Sequence, residues 1–347
     1  MKHKISMFMT IVIACVMVLA GCGNNNSNKN VNTGADKETA NRDAKVIELN
    51  LGHTLSDNSE RQDVANKLAE LANAKSNATI KISNFPSGQL GGEVKQIQSV
   101  RSGTQGMLFV SSAALTNTIP EYFLFDLPYL FDNAAQADKV LQGEVGQTFL
   151  DMLSQYDMVG LGFAWPNERN VFSDKPIRTA NDLKGFKTRV IQAPGYVKTY
   201  EDLGAHPTPM AYGEVFLAAQ QGVINGADIP PDQFVLDRFI EVAKYYNKTR
   251  IHYVPIIVAI SKTQWDSMTP EQQKALQEAT DEALEFGREY NKTYYDKFYE
   301  EMTNNGVEII EPDIDSFKVA TRKSYDSILK DIPNGAELLK AIEAAKN

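Results

Sequence analysis

Apolar and polar positions along the chain switch repeatedly between a period of two and a helical period. Residues 46–52, Val-Ile-Glu-Leu-Asn-Leu-Gly, alternate loosely and predict a strand. Asp57 or Ser59 can cap a following helix that runs to about residue 76, with Val64, Leu68 and Leu71 on one face. Residues 79–85 predict a second strand and Pro86-Ser87-Gly88 a turn. A helix over about 92–101, stopped by Ser102-Gly103, leads to a third strand at 107–110. Strand–helix–strand–helix–strand predicts a parallel sheet with right-handed crossovers. Ligands of such sheets bind beyond the carboxyl ends of the strands. Those ends carry Gly52-His53-Thr54 and Ser111-Ser112.

The pattern restarts further on. Residues 134–156 predict a helix, and 159–165 and 170–172 two extended segments. A second α/β unit begins near Asn167. It has strands at 187–190, 206–209 and 226–229, helices at 196–203 and 212–221, and Pro230-Pro231 opening a further helix. Residues 253–260 predict a strongly apolar strand. Thr269-Pro270-Glu271-Gln272 has the form of a capping box, opening a helix that runs to about residue 303. A helix that long, after two α/β units, suggests an element spanning both. No repeat of solenoid length is present.

The amino-terminal segment has a different character. Lys2 and Lys4 precede an apolar stretch over 5–19, shorter than the roughly 20 residues of a membrane span and laid out like a secretory signal. It ends in Leu19-Ala20-Gly21-Cys22, which resembles the bacterial lipoprotein box and implies lipid on Cys22 and cleavage before it. The other cysteine, Cys15, lies in the expected signal, so no disulfide is available and the fold must rest on an ordinary core. Residues 23–45 are rich in Asn, Ser, Lys and Asp and read as a solvated tether. Loss of the signal removes two lysines and no acid, taking the formal charge from −9 to −11. An acidic chain without a basic cluster argues against nucleic acid as a partner.

The most informative segment runs from Pro176 to Gly226. It opens Pro176-Ile177-Arg178-Thr179-Ala180-Asn181-Asp182-Leu183-Lys184-Gly185-Phe186-Lys187-Thr188-Arg189-Val190, followed by Gly204-Ala205-His206-Pro207-Thr208-Pro209-Met210 and Tyr212-Gly213-Glu214-Val215. With Gly88-Gln89-Leu90-Gly91 and Leu127-Pro128-Tyr129-Leu130-Phe131, these marks fall in order from about Val46 to Ile229, and the long helix extends the match to most of the mature chain. The chain resembles the solute-binding subunit of tripartite ATP-independent (TRAP) transporters, the DctP-type family. The resemblance implies an α/β fold: a two-domain clamp like the type II periplasmic binding proteins, with the long helix spanning both domains. Domain I is expected over 46–166 plus about 255–292, and domain II over 167–254 plus about 293–347.

Physical chemistry and the resemblance nominate the site together. Thr179 can cap a short turn that Asp182 answers and Gly185 ends, releasing a strand with Arg189 near its end. A guanidinium is always charged, and its fork matches a carboxylate with two parallel hydrogen bonds. By position alone Arg189 is equally a surface arginine; the resemblance makes it the carboxylate anchor. Arg169 is a second arginine that the resemblance places toward ligand, although Glu168 beside it offers a surface pair. Trp165 and Tyr212 are candidate apolar walls, with core packing the alternative. His53, Thr54, Glu93 and Ser111 are candidates for hydroxyls of a sugar-like acid or for the far carboxylate of a diacid. Gln192 and Gln233 complete the polar set. Ile229 stands where many relatives carry a ligand-touching asparagine, implying a ligand without a polar group there.

No HExxH or Cys-x-x-Cys pair, no Gly-x-Ser-x-Gly elbow and no phosphate-binding glycine loop occurs. The reading is therefore a binding protein without enzymatic activity, cofactor or metal. It takes up a small organic acid (a dicarboxylate, sugar acid or 2-oxo acid) outside the cell. It is held by lipid to the outer face of the bacterial membrane and serves the small and large membrane subunits of an ion-gradient-driven transporter. A co-receptor for a membrane signalling sensor and the receptor of an ATP-driven importer share the same clamp and remain open.

Overall fold

A computed structural model describes residues 45–291 and 294–346. The expected signal, Cys22 and the tether up to residue 44 lie outside the described residues. The first βαβαβ run forms as expected: β1 (Ile47–Gly52), α1 (Glu60–Lys75), β2 (Ile80–Phe85), α2 (Glu93–Arg101) and β3 (Met107–Ser111). Ser59 caps α1, its side chain accepting from the Gln62 N–H. β1 pairs in parallel with both β2 and β3.

Two short helices follow β3: α3 (Ser112–Leu115) and, past a 3₁₀ turn over Pro120–Asp126, α4 (Ala134–Leu141). The single helix expected over 134–156 is broken. α5 (Glu144–Met152) starts anew after Gly143, and a 3₁₀ turn covers Leu153–Tyr156. Gly146 explains the tight join, since a Cβ there would meet the Leu141 carbonyl oxygen at 1.8 Å. Next comes β4 (Met158–Ser173), one long strand where two extended segments are expected.

The second unit supplies β5 (Lys187–Val190), α6 (Pro194–Asp202), β6 (His206–Pro209), α7 (Val215–Gln220), β7 (Gly226–Ile229) and α8 (Pro231–Leu236). Asp182 Oδ2 accepts from the N–H groups of Arg178 and Thr179 at 2.9 and 2.8 Å, tying the turn that precedes β5. Gly185 ends it at φ +70°. β8 (Tyr245–Ser261) begins eight residues before its apolar stretch; its first half is too polar to announce a buried strand. After α9 (Lys262–Asp266), the expected capping box opens α10 (Pro270–Asn291). The Thr269 N–H donates to Gln272 Oε1 at 3.1 Å, and the Gln272 N–H to Thr269 Oγ1 at 3.3 Å. The chain ends in α11 (Tyr294–Asn304), β9 (Glu308–Ile310), α12 (Ile314–Leu329) and α13 (Gly335–Ala345).

All strands join one mixed sheet in the order β2-β1-β3-β8-β4-β7-β5-β6, with β9 on β8. β8 runs antiparallel to both β3 and β4, so the two long strands carry the sheet from its first half to its second. α10 packs on α1 and β4, whereas α11 packs on α8 and β9. Val64, Leu68 and Ala72 of α1 are buried in one cluster with Leu276, Ala279 and Ala283 of α10. Burial contributes roughly 1.5–3 kcal/mol for each large aliphatic side chain. Gly287 keeps the helices close: a Cβ there would lie 2.8 Å from Val64 Cγ2. α13 packs on α4 and α5, with Ile342 in the core cluster of the first half, although the sequence expectation groups it with the second.

Candidate functional site

Beyond the ends of β1 and β3, where the two halves of the sheet meet, lies a cavity of about 50 Å3. Its floor follows from the pleat. Side chains two apart share one face of a strand, and three strands each contribute such a pair: Phe109 and Ser111 from β3, Asn167 and Arg169 from β4, Val254 and Ile256 from β8; Arg189 of β5 and Ile191, just past its end, add a fourth. His53, Thr54 and Leu55 enter from the loop after β1, Arg61 from α1, Glu93 from the start of α2, Tyr212 from the turn before α7 and Gln233 from α8. A second pocket of about 20 Å3 adjoins it past Arg189 and is lined by Gln192, Met210 and Ala211.

The pairing of β4 with β8 shifts register between Ala164 and Asn167, across Trp165-Pro166. Pro166 has no N–H to give the ladder, and a bulge re-aims the side chains around it. This is why Trp165 misses the cavity. By simple alternation it would share a face with Asn167 and Arg169. The bulge instead sends it into a separate groove with Asp138, Gln142, Glu285 and Arg288.

Ile229 is also displaced from its expected role. It pairs opposite Asn170 and is fully buried in the core with Val215 and Phe234. Its carbonyl accepts from the Tyr246 hydroxyl at 2.9 Å. The inference that it leaves an apolar spot on the ligand therefore fails. Its neighbour Asp228 is the residue turned toward the arginines.

The cations differ in how they are held. Arg169 is buried and donates to Asp228 Oδ1 at 2.9 Å, and also to the Asp228 carbonyl. Burial weighs most against its charge, but the Asp228 carboxylate together with Tyr196 and Tyr200 outweighs it and raises the guanidinium above its ordinary value. Glu168, the alternative partner that the sequence offers, faces Arg250 and Tyr299. Arg189 is also buried. Its Nε and Nη2 donate to the backbone carbonyl of Met210 at 3.1 and 3.0 Å, and among the described residues no carboxylate pairs with it. Burial, and next the neighbouring Arg169, push its guanidinium down to about 10.

The remaining lining residues are placed by short hydrogen bonds. Glu93 accepts from the Ser111 N–H at 2.7 Å and from Ser111 Oγ at 2.9 Å, fixing its carboxylate at the rim. The Tyr212 hydroxyl donates to Asp237 Oδ2, and its ring lies 5.9 Å from the Arg189 guanidinium carbon. His53 Nε2 lies 2.8 Å from Gln62 Oε1, and burial lowers the ring to about 4, so it is neutral at pH 7. Gln233 is buried, whereas Gln192 is exposed and its carbonyl accepts from Asn117 Nδ2 at 2.7 Å. Ser112 Oγ is buried but does not line the cavity.

The cavity thus gathers Arg189, Arg169, Tyr212, His53, Thr54, Glu93, Ser111 and Gln233, with Gln192 next door; Trp165 and Ile229 lie elsewhere. Sequence reasoning missed Asn167, Phe109, Leu55, Ile191, Val254, Ile256 and Arg61. The pleat makes most of these legible once one partner of each pair is known. Arg61 sits in Ser59-Glu60-Arg61-Gln62, which reads as the solvated start of a helix.

Comparison with known proteins points the same way. The family described as bacterial extracellular solute-binding protein, family 7, matches residues 51–331. The 2,3-diketo-L-gulonate-binding periplasmic protein of Escherichia coli is 31% identical over 299 residues, covering 85% of this chain and 91% of that protein. The sugar acid binding protein of Advenella mimigardefordensis, solved in complex with galactonate, superposes with a TM-score of 0.84 at 26% identity, over 87% of this chain and all of that one. A TRAP periplasmic solute-binding protein of Xanthobacter autotrophicus with bound β-D-galacturonate gives 0.82 at 29% identity, over 85% of this chain and 99% of that one.

Proposed function

The chain belongs to the bacterial extracellular solute-binding proteins of family 7, and on that premise we propose that its cavity captures a small hydroxylated carboxylate whose acid group sits on Arg189. The observation that carries this is the state of Arg189: buried, pushed down in pKa, and hydrogen-bonded to one backbone carbonyl, with no carboxylate among the described residues in ion-pair distance. A carboxylate supplies the missing countercharge and two acceptors in a fork that matches the guanidinium. Glu93, Thr54 and Gln233 offer hydrogen-bond partners to hydroxyls. Phe109, Ile191 and Val254 give the apolar wall common to small-molecule sites. The acids bound by the relatives support this class.

We divide the described chain into two lobes at 166/167 and 254/255, beside the bulge in β4, with α13 on the first. In this reading the lobes swing about the β4–β8 crossing and close on the acid. Closure excludes water and strengthens the ion contact. The side chains do no covalent chemistry: the protein binds and releases its ligand unchanged, and the closed form docks on the membrane subunits of a TRAP transporter. Lipid on Cys22 keeps it at the outer face of the membrane. Calorimetric titration with galactonate and galacturonate tests the anchor. Charge-assisted hydrogen bonds contribute roughly 1.5–3 kcal/mol each, so Arg189→Met weakens binding by at least about tenfold. Equal affinity of the variant and the native protein overturns the assignment.

A further inference from the structure

Among the described residues, the cavity holds a second cation with no carboxylate in ion-pair distance. Arg61 is 5% exposed, lines the cavity, and lies with its guanidinium carbon 5.2 Å from the centre of the Phe109 ring. Its Nε is buried with no hydrogen-bond partner, and among the described residues no carboxylate lies within ion-pair distance of it. Phe109 supplies a cation–π contact, which is weaker than the lost hydration. The position adds to the cost. Arg61 is the second residue of α1, a helix of 16 residues, at the end where the backbone dipole is positive and disfavours cations. Glu60 and Asp232 act on it only at longer range. A buried cation left unpaired is one of the most costly arrangements available.

Arg61 and Arg189 come from opposite halves of the sheet, one on the helix between β1 and β2, the other on β5. Both line one cavity, and among the described residues neither has a carboxylate within ion-pair distance. Arg169, between them in the charge balance, is already paired with Asp228. Both Oε atoms of Glu93 accept from Ser111. We infer that Arg61 is a second anchor of this site and receives a second carboxylate, at the end of the ligand away from Arg189. Arg61 is then the residue that makes the site prefer a hydroxylated diacid over the mono-acid with the same carbon skeleton. The inference rests on the reading that Arg189 holds the first carboxylate.

Matched pairs of acids test it: galactarate against galactonate, and meso-tartrate against erythronate. Within each pair one end changes from carboxylate to hydroxymethyl and the hydroxyls between stay the same. Calorimetric titration of the native protein, Arg61→Met, Arg61→Lys and Arg189→Met gives the affinities. The native protein should bind the better-fitting diacid at least about tenfold more tightly than its mono-acid partner. Arg61→Met should lose that ratio, the diacid losing at least about ten times more affinity than the mono-acid. Arg61→Lys, which keeps the charge and loses the fork, should fall between and serves if the methionine variant does not fold.

A native ratio near one, or a ratio that Arg61→Met leaves unchanged, overturns the second anchor. So does an equal loss of both acids in a stably folded Arg61→Met. Arg189→Met separates the two claims. If it abolishes binding of both acids while the Arg61 variants leave the ratio alone, the first anchor stands and the second falls. If it binds both acids normally, the first reading fails as well.

Discussion

Asp228 and Arg169 form a buried ion pair, Oδ1 to Nη2 at 2.9 Å, on the wall of a cavity whose other arginines have no such partner among the described residues. Removing one member of a buried pair strands the other and costs about 3–5 kcal/mol. Asp228→Ala is therefore expected to lower unfolding stability by that amount, and the double variant Asp228→Leu/Arg169→Met by less than Asp228→Ala alone. Urea denaturation midpoints at constant m-value provide the check. A double variant as unstable as the sum of the two singles contradicts the pairing.

Arg189 behaves oppositely. Its charge is opposed by burial and by Arg169, and among the described residues its hydrogen bonds go to the Met210 carbonyl. Arg189→Met should leave the ligand-free protein no more than about 1 kcal/mol less stable, because the relief of a buried cation offsets the lost hydrogen bonds. A loss of 3 kcal/mol or more, on the order of a broken buried pair, marks Arg189 as a structural residue instead.

Trp165 separates the bulge from the simple strand alternation. It lines the groove with Arg288 and not the cavity. Trp165→Phe should leave ligand affinity within about twofold, well below the 1.4 kcal/mol that corresponds to tenfold. A tenfold loss returns Trp165 to the ligand-binding wall.

The legible parts of this molecule are those written in local pattern. The first βαβαβ run, the Asp182 turn before β5 and the Thr269–Gln272 capping box all depend on residues within a few positions of one another. The illegible parts depend on distant partners. β8 begins with Tyr245-Tyr246-Asn247-Lys248, whose polar groups are absorbed by Val171, Ser173, Tyr299 and Glu311 from far along the chain. Alternation places Trp165 beside Asn167 until the bulge at Pro166 intervenes. Arg61 is hidden for a related reason. In sequence it follows a capping serine and an acid, the usual signature of a wet helix start. Only tertiary packing against Phe109 shows that it is dry.

The buried titrating groups give a pH signature with two opposite signs. His53 is depressed from 6.5 to about 4 by burial, with Gln62 and Leu55 pulling the other way and Arg61 with it. A depressed folded value means the stability it confers is complete above pH about 6.5. It is lost as pH falls to about 4, a change of roughly 3 kcal/mol. Asp232 is raised from 3.8 to about 7, chiefly by burial. Its neutral form is the stable one, so it supports the fold below pH about 3.8 and loses roughly 4 kcal/mol of that support as pH rises through 7. Comparing variants with the native protein isolates each. His53→Gln should be relatively more stable at pH 4 than at pH 7, and Asp232→Asn relatively more stable at pH 8 than at pH 4. A pH-independent difference for either variant contradicts the assigned burial.

The carboxylate selectivity proposed for the cavity is read out by a thermal-shift screen. The protein is heated with about a hundred small organic acids and with the neutral analogue of each. A ligand at 100 times its Kd adds about 2.7 kcal/mol of stability, enough to raise the melting point by several degrees. The account predicts that hydroxylated acids produce this shift and their neutral sugars or amides do not. A clear shift from a neutral sugar or an amine, with silence from every acid, contradicts it.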